Sequence, residues 1–139
     1  MTVWRHVALW LIGSLTWALF TILGLPWDTF TAWNLDQLIL LNLVAAFAVV
    51  PLIGAMTLLL LGGDTVLTAL WAAFYHSVPL LIYDLVLHWY IGGKGLGFLV
   101  SHWTITIRYL YVWIELPLIG LALDGFKWEV LRATEDRRA

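Results

Sequence analysis

Four long runs of apolar residues, separated by short polar stretches, dominate the sequence. The runs cover residues 4–25, 38–61, 66–91 and 98–123. A helix needs about 20 consecutive apolar residues to cross the hydrocarbon layer of a bilayer, and each run is long enough. The pattern therefore predicts an all-α, polytopic integral membrane protein with four transmembrane helices.

The connections between the runs are short and rich in turn-forming residues. Pro26 ends the first run, Gly62 and Gly63 separate the second from the third, and a glycine-rich turn at 92–97 separates the third from the fourth. Short connections make consecutive helices antiparallel neighbours. We expect a single membrane domain at 1–126, built as an antiparallel four-helix bundle, followed by a short cytoplasmic tail at 127–139.

The basic residues predict the orientation of the bundle. Arg5 lies at the amino end and four basic residues lie after position 126, whereas the first connection carries only acids and the third carries only Lys94. Because Lys and Arg accumulate on the cytoplasmic side, both termini are predicted to be cytoplasmic. The expected location is the inner membrane of a prokaryote.

Composition agrees with this class and excludes others. Of 139 residues, 63% are hydrophobic and 12% are charged, against about 45–50% and about 25% in soluble domains. A net charge of −2 offers no basic surface for nucleic acid, and the absence of cysteine excludes disulfides and thiolate metal sites. The expected partner is the lipid bilayer. Most of the ten tryptophans fall near the predicted membrane surfaces, and only Trp17 and Trp113 are placed deep.

Six ionisable residues fall inside the third and fourth runs. An Asp or Arg at the bilayer centre costs about 2.5–3.5 kcal/mol on insertion scales, so each such residue needs a partner or a cavity. In an antiparallel hairpin, two residues are level when their numbers sum to a constant. The turn then predicts three matched pairs: His88 with His102, Asp84 with Arg108, and His76 with Glu115.

The rotation of about 100° per residue around a helix tests these pairs. Arg108, Tyr111 and Glu115 share one stripe, and Asp84 and His88 share another. The predicted ligand or proton pathway therefore contains Asp84, His88, Arg108, Tyr111, Glu115 and His76. The outer pair of His88 and His102 fits the angular test least well.

Several interpretations of these residues stay open. Asp84 and Arg108 can form a buried ion pair that only fixes the register of the helices. His76 is expected to bond a helix carbonyl or Glu115. A haem held by His88 and His102, or a non-haem metal on these histidines, is a weaker alternative, and no cofactor is predicted.

Three functions are compatible with the sequence. The first is the binding or transport of a small molecule or protons in a polar pocket between the third and fourth helices. The second is a non-enzymatic accessory subunit of a larger membrane complex. The third is an enzyme acting on lipid or isoprenoid substrates, with His76 and Glu115 as acid and base. Four helices leave little room for a pathway, so we expect a homo-oligomer or other membrane subunits.

Overall fold

The computed structural model describes residues 1–24, 34–93, 95–101 and 103–136. Within these ranges only the backbone is described for residues 20, 23–24, 35, 38, 41–42, 45–46, 104–105 and 128–136. All described elements are helical, which confirms the predicted all-α class. In chain order the α-helices are α1 (Val3–Gly24), α2 (Leu35–Val44), α3 (Val50–Leu61), α4 (Thr65–Tyr75), α5 (Val78–Asp84), α6 (Phe98–Ser101) and α7 (Trp103–Asp136).

Shorter helical forms join several of these helices. A π-helical segment, Ala45–Val49, makes α2 and α3 one continuous rod, and a second, Leu85–Ile91, extends α5. A single 3₁₀ turn at Gly95–Gly97 precedes α6. Each predicted apolar run is thus helical over most of its described length, while α7 continues to Asp136, well past the predicted start of the tail.

Within the described ranges, two stretches of helix are long and apolar enough to cross a membrane. They are Thr65–Ile91 and Thr106–Lys127, and a shorter apolar helix covers Phe47–Leu61. Large apolar side chains elsewhere on the bundle also point outward: Leu15 is 68% exposed and Leu60 is 79% exposed. Membrane association is therefore supported by the length, the composition and the outer surface of the helices.

The contacts between helices define their directions. Helix α7 runs antiparallel to α4 and α5, because Trp113 of α7 bonds Ser77 and Tyr109 bonds Asp84. At the other end, Lys127 donates to the hydroxyl of Thr65 at 2.8 Å. Helix α1 runs parallel to α4 and α5, since its first turn lies near the start of α4 and its third quarter lies near Asp84.

Helix α4 is the centre of the bundle and contacts α1, α3, α5 and α7. It buries small side chains, Ala69, Ala72 and Ala73, among apolar residues of its neighbours. Gly120 of α7 allows close approach here, since an added Cβ would lie 3.1 Å from the carbonyl oxygen of Thr65. Small residues let helix backbones pack tightly, which is how helices associate in lipid.

A glycine turn fixes where α4 begins. Gly62 and Gly63 have φ values of 61° and 78°, a region that only glycine enters at little cost. Asp64 then caps the helix, because its side chain accepts a hydrogen bond from the backbone N–H of Leu67 at 2.9 Å. The guanidinium group of Arg5 packs on Gly63 and brings the start of α1 to the same end of the bundle.

The third apolar run is broken at His76 and Ser77, between α4 and α5. Pro79 follows, and proline cannot donate to the carbonyl four residues earlier, which belongs to Tyr75. The side chain of Ser77 donates to the carbonyl of Ala73 at 2.8 Å. Polar side chains at the break therefore supply hydrogen bonds that the interrupted helix does not.

Candidate functional site

The carboxylate of Asp84 lies where α1, α5 and α7 meet. Asp84 is only 6% exposed. It accepts a hydrogen bond from the indole N–H of Trp17 at 2.8 Å and another from the hydroxyl of Tyr109. Two neutral donors on two other helices thus satisfy a buried carboxylate, which fastens the bundle together at this level.

The two donors to Asp84 were not among the predicted site residues. Sequence reasoning placed Arg108 opposite Asp84, and Tyr109 is its neighbour in α7, so the register is right to within one residue. Arg108 makes at least one interaction in the structure. Its ion pair with Asp84 stays a prediction. The signal for Trp17 was its predicted depth, because a buried indole N–H usually finds a partner. Trp113, the other deep tryptophan, donates to Ser77 at 2.9 Å.

A lateral groove lies on the α1 side of this cluster. Tyr83 accepts a hydrogen bond from the indole of Trp10 at 3.1 Å and shares another with Ser14 at 3.1 Å. Its ring packs edge to face on Trp17, with centroids 5.1 Å apart. The groove has a volume of about 360 Å³ and is lined mostly by apolar atoms of α1, α5 and the following π-helical segment.

His76 caps the broken end of α4. Its Nδ1 lies 2.9 Å from the carbonyl oxygen of Ala72, one turn earlier. This is one of the two partners that the sequence predicted for His76. The bond holds the imidazole against the helix and turns Nε2 away from it.

Two buried polar atoms have no hydrogen-bond partner among the described residues: Nε2 of His76 and Oε2 of Glu115. The two residues are level in the bundle, because Ser77 and Trp113, which are bonded to each other, are their close neighbours in sequence. The predicted level is therefore right, but these two atoms do not bond each other. Each retains an unused capacity for a hydrogen bond.

A small cavity lies beside His76 at the centre of the bundle. Its volume is about 40 Å³. The wall is almost wholly apolar. Besides His76, the polar residues beside the cavity are Thr16 and Thr57, whose hydroxyls donate to the carbonyls of Ile12 and Ile53 at 2.8 and 2.7 Å. Val112 and Leu116 of α7 complete the wall, and Glu115 does not line this cavity.

The remaining predicted site residues are not brought into this pocket by any described contact. His88 lies in the second π-helical segment and its ring stacks on buried Phe98, with centroids 5.3 Å apart. Tyr111 is 38% exposed. His102 lies outside the described residues, so the predicted pair of His88 and His102 stays a prediction. Among the described residues, no three His, Asp or Glu side chains converge as metal ligands would.

Comparison with known proteins adds no identification, since no family model, no curated protein and no solved structure matches the chain.

Proposed function

We propose that this chain is a four-span integral membrane protein of a prokaryotic inner membrane, with both termini cytoplasmic. The proposal is supported by the two apolar helices Thr65–Ile91 and Thr106–Lys127, by the antiparallel packing of α7 on α4 and α5, and by the basic residues at both ends of the chain. On this topology the break at His76 and Ser77 lies near the middle of the bilayer.

The protein binds or transports a small molecule or protons in a pocket between α4 and α7, at the level of His76 and Glu115. The observation that carries this proposal is the pair of buried, unpartnered atoms, Nε2 of His76 and Oε2 of Glu115, on facing helices at one level. Leaving a buried polar group unsatisfied costs about 1–3 kcal/mol. Two such groups at one level of the bundle lower its stability, so a functional role is needed to account for them.

The Asp84 cluster has a different part in this proposal. Its carboxylate already accepts two hydrogen bonds, so it anchors α1 and α7 on α5 and supports the pocket from the outer side. His76 and Glu115 are the groups that meet the bound species. Arg108 shares a stripe of α7 with Glu115 and is proposed to tune the charge along that face.

The test is reconstitution of the full chain into liposomes. We expect the wild-type protein to collapse an imposed pH gradient, followed with a trapped pH dye, or to admit small polar solutes, followed by osmotic swelling. Glu115→Gln keeps the shape of the side chain and removes its charge and its proton. We expect it to lower the flux by about 100-fold, the size of effect typical for a group that handles a proton.

The control variant is Tyr90→Phe, which removes the hydroxyl of an 86% exposed side chain that is not part of the predicted pathway. It is expected to leave the flux unchanged. If wild type and Glu115→Gln, both folded and inserted, show the same flux as empty liposomes, the proposed function is wrong. The alternative of an accessory subunit then gains, and purification together with other membrane chains would support it.

A second candidate function rests on the lateral groove. A volume of about 360 Å³ is at the lower end of the range for small-molecule sites, which is about 300–1,000 Å³, and the lining is apolar. The groove therefore favours an acyl or isoprenoid chain as ligand, consistent with an enzyme that acts on lipids. Retention of an isoprenoid by wild type but not by Ala18→Phe, which narrows the groove, tests this candidate.

A further inference from the structure

We infer that Arg5, seated on the glycine turn before α4, binds the phosphate group of an anionic membrane lipid. This site lies at the end of the bundle where α1 and α4 begin, so it is separate from the pocket between α4 and α7. Three observations support it: the position of the guanidinium group, its lack of a partner in the protein, and its level relative to the apolar spans.

The guanidinium group of Arg5 lies directly on the turn. Its Nη1, Cζ and Nη2 atoms all lie within 3.1 Å of where a Cβ atom at Gly63 would stand. The flat group therefore occupies the space that the side chain of any other residue would need. Gly63 also has a φ of 78°, a value that is costly for residues with a side chain. One glycine thus shapes the turn and makes room for the guanidinium group.

The hydrogen-bond donors of Arg5 are unused. Within the described part of the chain its guanidinium group forms no hydrogen bond and no ion pair, and none of its nitrogens is fully enclosed. The residue is half-buried, so its stem is packed while N–H groups stay accessible. Arginine presents its donors in a flat fork that matches two oxygens of a phosphate group. A phosphate is therefore the ligand that this group is best shaped to bind.

The acids at this end of the bundle already have partners. Asp64 accepts a hydrogen bond from the backbone N–H of Leu67 at 2.9 Å, and Asp124 lies 3.6 Å from the ammonium group of Lys127. Among the described side chains here, the charge of Arg5 is the one that no acid balances. This charge favours an anionic lipid over a zwitterionic lipid, whose own ammonium group offsets its phosphate.

The site is level with the lipid headgroups. Both apolar spans end here, at Thr65 and Lys127, and these two residues are bonded to each other at 2.8 Å. Gly63 lies two residues before Thr65, so the guanidinium group is just outside the hydrocarbon layer. Trp4, the neighbour of Arg5, is 69% exposed, and exposed indoles favour the headgroup layer. Lipid phosphates are present at both surfaces of a bilayer, so the site is usable in either orientation of the bundle.

The test is native mass spectrometry of the full-length protein released from detergent micelles and titrated with dioctanoyl phosphatidylglycerol. Each bound lipid adds its own mass, so the bound fraction gives the affinity. We expect Arg5→Gln to weaken binding of the first lipid by about 30-fold, because hydrogen bonds to a charged group are lost. Arg5→Lys keeps the charge without the fork and is expected to recover only part of the affinity. The control Arg137→Gln removes an arginine of the tail and is expected to leave the affinity unchanged.

The two glycines of the turn provide a matched pair of variants. Gly63→Ala places a methyl group where the guanidinium group lies and is expected to weaken lipid binding by about ten-fold, because the bidentate geometry is lost. Gly62→Ala imposes the same kind of backbone strain, since Gly62 has a φ of 61°, but its Cβ would meet nothing within 4 Å. We expect it to leave lipid binding unchanged. Circular dichroism confirms that both variants are folded at the temperature of the titration, so a difference in affinity reports the contact with Arg5.

Two further titrations identify the source of the phosphate. Dioctanoyl phosphatidylcholine carries a phosphate without net charge and is expected to bind about five-fold more weakly than phosphatidylglycerol, the effect of about one charge near a basic residue. Inorganic phosphate, followed by the line width of its ³¹P NMR signal, tests free phosphate. We expect it to bind more weakly than either lipid, because it has no acyl chains to pack on the bundle.

The outcomes decide the inference without any measurement of flux, so they are independent of the proposed function. Equal affinity of wild type, Arg5→Gln and Arg137→Gln for phosphatidylglycerol overturns it, as does equal weakening by Gly62→Ala and Gly63→Ala. Inorganic phosphate that binds as tightly as phosphatidylglycerol overturns a lipid as the ligand. Loss of lipid binding in Arg5→Gln and Gly63→Ala, with full binding in Gly62→Ala and Arg137→Gln, supports the site.

Discussion

The backbone carbonyl of Tyr75 lies against Gly13 of α1, so closely that a Cβ atom at Gly13 would stand 2.5 Å from the oxygen. Pro79 leaves this carbonyl without its usual donor. The glycine lets the Cα hydrogens of α1 approach it instead, as in the weak C–H···O contacts found at helix interfaces. The break in the third apolar run and the missing side chain in α1 are therefore two parts of one contact.

Gly13→Ala is expected to destabilise the protein although it raises helix propensity. The added methyl group meets backbone rather than a flexible side chain, so α1 must shift, at a cost of about 1–3 kcal/mol. Denaturation in mixed micelles measures the change. The matched control is Gly125→Ala in α7, where an added Cβ meets nothing within 4 Å. There we expect a gain of up to about 1 kcal/mol. Equal effects of the two variants would contradict this account of Gly13.

Asp84→Asn is expected to lower the free energy of unfolding by about 1–3 kcal/mol. An amide offers only one acceptor oxygen to the two donors, so either Trp17 or Tyr109 loses its partner. Double-mutant cycles with Trp17→Phe and Tyr109→Phe measure the coupling to each donor.

A cycle of Asp84→Asn with Arg108→Gln tests the predicted ion pair in the same way. We expect the coupling of Asp84 to Tyr109 to exceed its coupling to Arg108. If the double variant with Arg108→Gln recovers the stability that Asp84→Asn loses, the ion pair is the main structural contact and this expectation is wrong.

Glu115→Met is expected to change stability in the opposite direction. It removes a buried oxygen that has no partner and keeps a long side chain, so the protein should gain about 1 kcal/mol of stability while it loses flux. The comparison is made with Asp84→Asn in the same micelles. A loss of stability as large as that of Asp84→Asn would show that Glu115 is structural.

The topology can be tested by labelling single introduced cysteines. The chain has no cysteine of its own, so none has to be removed first. The variant Leu96→Cys, at an exposed position in the turn between the third and fourth runs, is expected to react with a membrane-impermeant maleimide in intact cells. The variant Thr2→Cys should react only after the cells are permeabilised. The reverse pattern would mean that the bundle has the opposite orientation. Labelling of both positions in intact cells would contradict the three spans predicted between them.

The helices and their levels could be predicted because each depends on a single regular quantity. Apolar length predicts where helices form, since the hydrocarbon layer tolerates no unpaired backbone. A fixed rise of about 1.5 Å per residue predicts which residues of a hairpin are level. This placed Asp84 level with Arg108, the neighbour of its observed donor Tyr109, and His76 level with Glu115.

The partners of the buried groups could not be predicted in the same way. The donor Trp17 comes from α1, which is far from Asp84 in sequence, and no spacing rule relates helices that are not consecutive. The angular prediction for His88 assumed a regular α-helix from Asp84 onward. The structure has a π-helical segment from Leu85 to Ile91, whose wider turn rotates His88 relative to Asp84, and the ring stacks on Phe98 instead.

The cluster around Asp84 also has a consequence for biogenesis. The chain is synthesised from its amino end, so Trp17 is already in place when Asp84 enters the membrane, and Tyr109 follows only 25 residues later. Helix α1, which is made first, can therefore donate the Trp17 hydrogen bond to Asp84 as soon as α5 is made. Helix α7, which is made last, then adds the hydrogen bond from Tyr109. Because Trp17 precedes Asp84 in the chain, Asp84 has a hydrogen-bond donor available throughout its insertion into lipid.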